Sequence, residues 1–523
     1  MLVGLLLAAP AAGAQERFDQ NGVIFVHGFV GSGAQFESQK MRFTSNGYPQ
    51  SWIRVLEYDS TFGSESRSQV HTRLDQLIAE LKEHTGRPQV DILGHSLGTS
   101  VMQDYLGSSP ARASNVAHYV NVDGSQADAP PGGVPTLAVW AGRGTPGREI
   151  RGATNVTVPN QTHVQVATSA ESFVEYFKFF TGREPANDIV PESGSITIEG
   201  RAMLFPQNRG TPAGVTVEVW EVDGATGQRT ASAPVARLPA DGNGAWGPAQ
   251  VEAGRHYEFA LLRPGVATLH YYFEPFVRSD HLIRLLYADG VEAVVERGER
   301  HVSWLVLRYK ELWGDQGAES DELLVNGTNV CNEATCPIRK QVNAVFVFDR
   351  RSDGRTDLSA PDPVFSQLPF ITGVDVFVPA ARPPTGTVSV GLRSRGSGPV
   401  RTLNFPNYAS TVEGSVLQFH DFEQPVAGAG AQAGVRRRLR IRTRPRRVDA
   451  GERTRFRVRV MVLENGQARP VGGARVRLGG RSARTGRKGR ARITKRFRRP
   501  GVRRVRAAHA GYMSNKAHIR VLP

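Results

Sequence analysis

The chain has 523 residues, 40% of them hydrophobic and 22% charged, with a net charge of +16. That balance excludes a fibrous, low-complexity or wholly disordered protein, and the length allows several domains with cores of their own. The charge is uneven: residues 435–523 hold thirty Lys and Arg against three Asp and Glu, a net of +27, so the remainder of the chain carries −11.

Residues 2–9, LVGLLLAA, form an apolar run too short to span a bilayer, followed by Ala12-Gly13-Ala14 as a small-residue cleavage site. This pattern reads as a secretory signal peptide over residues 1–14, and predicts an extracellular protein, secreted or retained at the cell envelope. No other segment is long and apolar enough to predict a membrane span.

Residues 15–185 alternate strand-like and helix-like stretches. Short apolar runs at Val23–Val26, Ile53–Tyr58, Val90–Leu93, Ala117–Val122 and Thr136–Trp140 are separated by helical patterns such as Leu74–His84 and Ser96–Leu106. Such alternation predicts an α/β fold: a mostly parallel sheet covered by helices on both faces. Its ligands are expected beyond the carboxyl ends of the strands.

The stretch VDILGHSLGTSVMQDYL places Ser96 at the corner between a strand and a helix, with Gly94 and Gly98 two residues away on either side. Gly-x-Ser-x-Gly is the nucleophile elbow, in which a Cβ at either glycine would collide with the neighbouring strand or helix. A serine nucleophile needs a base, and in this fold the chain order is serine, acid, histidine. His27, His71, His84 and His95 precede Ser96. His118 lies within a predicted strand. His163, in the loop between Val156–Val158 and the helical pattern Ala170–Phe180, is left as the base. For the acid, Asp123 ends a strand and precedes Gly124; Asp128 ranks second and Glu149 third. In VIFVHGFVGSG a buried strand runs into His27-Gly28, so the backbone N–H groups of Phe29 and Leu97 are the expected oxyanion donors. His27, Gly28, Gly94 and Gly98 support them. The expected chemistry is attack of Ser96 on an ester carbonyl, with no cofactor and no metal.

Residues 186–424 change character. Runs such as SITIEGRAML, VTVEVWEV, NAVFVFDR and TVSVGLRS alternate with period two between Gly, Pro, Asn and Asp clusters, predicting an all-β barrel or sandwich region. Cys331 and Cys336, the only cysteines, are close in sequence and are expected to form a small disulfide loop in an exported protein. Two thiols alone make a poor zinc site. Residues 425–434 form a small-residue linker. Residues 435–523 alternate Val with Arg and predict an immunoglobulin-like β-sandwich with arginines facing outward. With only Phe456, Phe497 and Tyr512 as aromatics, sequence-specific nucleic-acid reading is not expected of it. Its charge suits an anionic envelope surface.

Several of these stretches together resemble the two-domain archaeal long-chain lipases: the elbow, VHGFVGSGAQFESQKMRFTSNGYP, VNVDGSQADAP, GVPTLAVWAG, THVQVATSAESF, FEPFVRSD, VNGTNVCNEATCPI and VFDRRSDGRTDL. The resemblance spans about residues 20–424. It implies an α/β-hydrolase domain joined to a lipid-binding β domain, fatty-acid esters as substrates, and a triad falling on Ser96, Asp123 and His163. One departure stands out. That family carries a long lid insertion after Glu-Tyr-Asp, whereas here Tyr58-Asp59 is followed by the short, polar STFGSESRSQVHTRLD. An open, esterase-like site is then the expectation. The basic tail has no counterpart in that family. The readings to be separated are a lipase, a short-chain esterase or polyester depolymerase, and an inactive surface-binding protein.

Overall fold

The computed structural model describes residues 19–288, 294–423, 439–464, 467–509 and 512–522; the predicted signal peptide lies outside them. The chain divides into two compact units, Met1–Pro185 with Ile189–Val426, and Ala186–Asp188 with Ala427–Pro523.

The first unit opens with six strands: β1 (Gly22–Val26), β2 (Ile53–Leu56), β3 (Val90–His95), β4 (Val116–Val122), β5 (Thr136–Ala141) and β6 (Thr154–Val158). They form one sheet in the order β2-β1-β3-β4-β5-β6, every pair parallel. Both faces are covered, and residue parity shows how. In β1, Val23 and Phe25 join one core with Phe36, Phe43, Phe173 and Phe177, while Ile24 and Val26 join another with Leu74, Ile78, Val101 and Tyr105. The first core seats helices α1 (Glu37–Ser45) and α5 (Ala170–Thr181); the second seats α2 (Arg67–Thr85) and α3 (Leu97–Ser108). A short helix, α4 (Gln165–Thr168), precedes α5. Helix α2 starts at a Ser66–Gln69 capping box and ends at the left-handed Gly86. The chain reverses its direction of strand addition between β1 and β3, which opens a crevice at their carboxyl ends.

The all-β region is two sandwiches sharing a sheet. An eight-stranded sheet packs at one end on a three-stranded sheet (Ala245–Glu252, Ser195–Leu204, Asp280–Tyr287) around Trp246, Phe259, Tyr271 and Leu285. At its other end it packs on a four-stranded sheet around Trp304, Leu323, Val390 and Phe405. In this second core the expected Cys331–Cys336 disulfide is not formed. Both cysteines are buried free thiols, packed as small apolar side chains. Burial pushes the Cys331 thiol well up, and the neighbouring Cys336 pushes it further.

The second unit is a two-sheet sandwich as expected, a four-stranded sheet facing a five-stranded one. Its core is made by the inward residues of the alternation, among them Phe456, Val458, Val460, Val476, Ile493 and Val505. No helix among the described residues is long and apolar enough to cross a membrane.

Candidate active site

Ser96 sits between β3 and α3 with φ 53° and ψ −122°. A non-glycine residue held there costs on the order of 1–3 kcal/mol, so the surroundings must enforce it. They do. The Ser96 N–H donates to the Val122 carbonyl at 3.0 Å, and the Ser96 carbonyl accepts from the Thr99 N–H at 3.0 Å and the Thr99 hydroxyl at 2.7 Å. The flanking glycines are closely packed: a Cβ at Gly98 would collide at 2.5 Å with the carbonyl oxygens of Val26 and His27, and one at Gly94 would sit tightly, 3.0 Å from the Gly98 carbonyl.

The crevice brings the other expected residues to the same place. Asp123 directly follows β4 at φ 42°, and its Oδ2 lies 2.7 Å from His163 Nδ1. Its Oδ1 accepts from the Ala141 N–H at 3.0 Å and from Arg148 Nη1 at 2.9 Å. Burial pushes the Asp123 carboxyl upward, but the His163 hydrogen bond and charge, the Ala141 amide and Arg148 outweigh it and hold it below its ordinary value. It stays a carboxylate facing the imidazole. The alternative acids are elsewhere: Asp128 is 92% exposed and pairs with Arg151, and Glu149 is 59% exposed on the same arginine. His118 pairs with Asp91 at 2.8 Å, within the sheet.

On the other side of Ser96, a Cβ at Gly28 would stand 2.8 Å from Ser96 Cβ and 3.3 Å from its Oγ. Only glycine lets the chain after β1 come this close. Leu97 is the first residue of α3, so its N–H has no partner within the helix and carries the positive end of the helix dipole. Phe29, Ser96 and His163 all border one cavity of about 660 Å³.

Three supporting residues, His95, Glu311 and Asn208, were not legible in the sequence. Buried His95 is pushed down to about 3 by burial and by the neighbouring His163, so it is neutral. Its Nε2–H donates to the His163 carbonyl at 3.0 Å, which leaves Nδ1 to accept from Gln35 Nε2 at 2.7 Å. Glu311, from the all-β region and fully buried, accepts from the Thr162 hydroxyl at 2.7 Å and from the N–H groups of Val164 and Gln165 at 2.6 and 3.0 Å. These bonds straddle His163. Asn208, also from the all-β region, donates to His27 Nε2 at 3.1 Å, the Gly31 carbonyl at 2.7 Å and the Tyr58 carbonyl at 3.1 Å. His27, kept neutral by burial, donates from Nδ1 to the Gly28 carbonyl at 2.9 Å and stacks on Tyr58. The loop after β1 is thus held from across the crevice.

Residues 57–66 between β2 and α2 form a short loop and no lid helix. Most of the cavity wall instead comes from the all-β region, including Phe205, Leu286, Trp304, Phe346, Phe370 and Val416. Its lining is largely apolar.

Comparison with known proteins agrees with this architecture. The lipase (class 2) family model matches residues 20–117, the lipase C-terminal domain model residues 194–289, and a further C-terminal domain model residues 290–423. The chain resembles a two-domain lipase. It is a hydrolase of the lipase or esterase type. Ser96 falls within the class 2 lipase match, and Asp123 and His163 lie past its end. Solved structures align only loosely with this lipase-like chain. A gene product of Listeria innocua is 12% identical, covering 32% of this chain and 96% of its own, with a TM-score of 0.25. Phospholipase PlaB of Legionella pneumophila is 8% identical, covering 51% and 93%, with a TM-score of 0.20. The D00-D0 domain of intimin is 14% identical, covering 42% and 100%, with a TM-score of 0.15. Alignments this poor bear on neither fold nor chemistry.

Proposed function

We propose that this protein is an exported serine carboxylic-ester hydrolase that cleaves fatty-acid esters, a lipase, through Ser96, His163 and Asp123. One observation carries the reading: His163 is bonded to Asp123 at 2.7 Å and shares a large apolar cavity with a strained Ser96. In this mechanism His163 Nε2 takes the Ser96 proton as Oγ attacks the ester carbonyl. Asp123 fixes the imidazole through Nδ1 and stabilises the imidazolium. The oxyanion lies between the N–H groups of Phe29 and Leu97, each donor lowering the barrier by about 2.7–4 kcal/mol. The tetrahedral adduct collapses, the alcohol leaves with the proton from His163, and water activated by His163 releases the acid. The apolar wall from the all-β region receives the acyl chain. Neither a cofactor nor a metal has a part in these steps.

A short-chain esterase is the second reading, favoured by the polar loop at residues 57–66 in the place of a lid. Hydrolysis of a p-nitrophenyl ester series from short to long acyl chains, with Ser96→Ala alongside, separates the two. A maximum on long chains, lost in Ser96→Ala, supports the lipase; a maximum on short chains supports the esterase. Activity that survives Ser96→Ala overturns both. Export is tested by sequencing the amino terminus of the protein recovered outside the cell, with residue 15 expected first.

A further inference from the structure

The basic unit carries its charge in an ordered array. Three strands, Arg440–Arg444, Arg453–Glu464 and Arg490–Arg496, lie side by side with the middle one paired to both others. The register puts Arg442, Arg459 and Arg490 directly abreast, and beside them Arg444, Arg457 and Arg492. All six are exposed, and their strand neighbours Val458, Val460 and Ala491 face the core. Among the described residues none of the six forms an ion pair. Like charges directly opposite one another weaken a sheet, so this arrangement does nothing for folding. A surface kept merely soluble mixes both signs.

The opposite sheet is sparser. There Arg475 stands between Arg484 and Ala508, and Arg477 between Ser482 and Arg506. Arg506 in turn stands opposite Lys516, so this sheet has one row of three basic residues where the first has two rows of three arginines.

We propose that the face formed by Arg440–Arg444, Arg453–Glu464 and Arg490–Arg496 docks on a bilayer of anionic phospholipids. Neighbouring arginines sit about 4.8 Å apart across strands and about 6.8 Å apart along them, in two rows of three on one sheet face. A linear polyanion follows one row, whereas a plane of anionic head groups engages both. Guanidinium forks suit phosphate oxygens, which accept two parallel N–H bonds. Phe456 and Phe497 are buried, so neither offers a base a stacking platform or inserts into the hydrocarbon. Contact stays at the level of the head groups and is sensitive to salt.

The test uses the full chain and vesicle co-sedimentation, which reads binding independently of ester hydrolysis. Phosphatidylcholine vesicles are compared with phosphatidylcholine–phosphatidylglycerol vesicles. Two variants remove equal charge: one carries Arg442→Gln, Arg457→Gln, Arg459→Gln and Arg492→Gln, the other Arg475→Gln, Arg477→Gln, Arg484→Gln and Arg506→Gln. Circular dichroism establishes that each is folded. The native protein should sediment only with the anionic vesicles and be released by salt. Each arginine near the surface contributes roughly fivefold in affinity, so the first variant should bind several-hundred-fold more weakly. The second should retain most of the binding. Equal losses in both variants would mean net charge alone is at work and overturn the assignment. So would no binding to anionic vesicles, or tighter binding to free duplex DNA or polyphosphate at equal phosphate concentration.

Discussion

Replacing Glu311 by glutamine tests whether the all-β region aligns the triad or only shelters it. The carboxylate accepts three hydrogen bonds at 2.6–3.0 Å from residues flanking His163. A hydrogen bond to a charged group contributes about 1.5–3 kcal/mol. Glutamine keeps the size but has one acceptor oxygen, and its NH₂ group faces donors. At least one bond is lost and the loop is no longer pinned on both sides of His163. A displacement of about 1 Å at a reacting group costs roughly 100-fold in rate. The expected result is a kcat lowered roughly 10- to 100-fold on a soluble p-nitrophenyl ester, with KM nearly unchanged because the acyl wall is intact. Steady-state kinetics and a thermal melt on the same preparation separate misalignment from unfolding. A kcat equal to the native value in folded Glu311→Gln would refute the reasoning. So would a change confined to KM.

Gly28→Ala brings a methyl to 2.8 Å from Ser96 Cβ, and should lower kcat at least roughly 100-fold with little change in the melting temperature, read by kinetics and calorimetry. Asp123→Asn leaves the imidazole without its anionic partner, and kcat should fall by roughly 10⁴ at neutral pH. The Asp123 carboxyl is held below its ordinary value of 3.8 in the fold. Its contribution to stability is therefore present above pH 3.8 and lost as pH falls through the lower, folded value. Acid unfolding of the native protein should show that loss and Asp123→Asn should not, as followed by circular dichroism. Asn208→Ala frees the loop after β1 and leaves His27 Nε2 short of a donor; kcat should fall roughly tenfold, and unaltered kinetics would show that the loop holds itself.

The hydrolase part of the fold was legible because its signals are local. Apolar runs of the right length, a glycine on each side of Ser96 and an aspartate at a strand end are short-range patterns. The structure brings Asp123 to 2.7 Å from His163 and leaves Asp128 and Glu149 exposed beside Arg151. What the sequence hid is long-range. Glu311 meets residues 147 and 149 positions earlier, and Asn208 meets His27 across 181. Nothing around either residue marks it as facing the crevice. His95 lay inside the elbow motif, yet its part is set by Gln35 and the His163 carbonyl, 60 and 68 positions away. The same distance effect hid the cavity wall that the all-β region supplies. Close spacing of Cys331 and Cys336 suggested a disulfide, but the pair is two thiols packed in an apolar core.

The distance between His163 and Glu311 also sets an order in time. A growing chain presents Ser96, Asp123 and His163 to the solvent long before residue 311 has been made. Domains begin to fold from the amino terminus during synthesis. Ser96, Asp123 and His163 can therefore meet while the loop that carries His163 still lacks its anchor. The loop is pinned on both sides of His163 only when the second body of strands has closed onto the first.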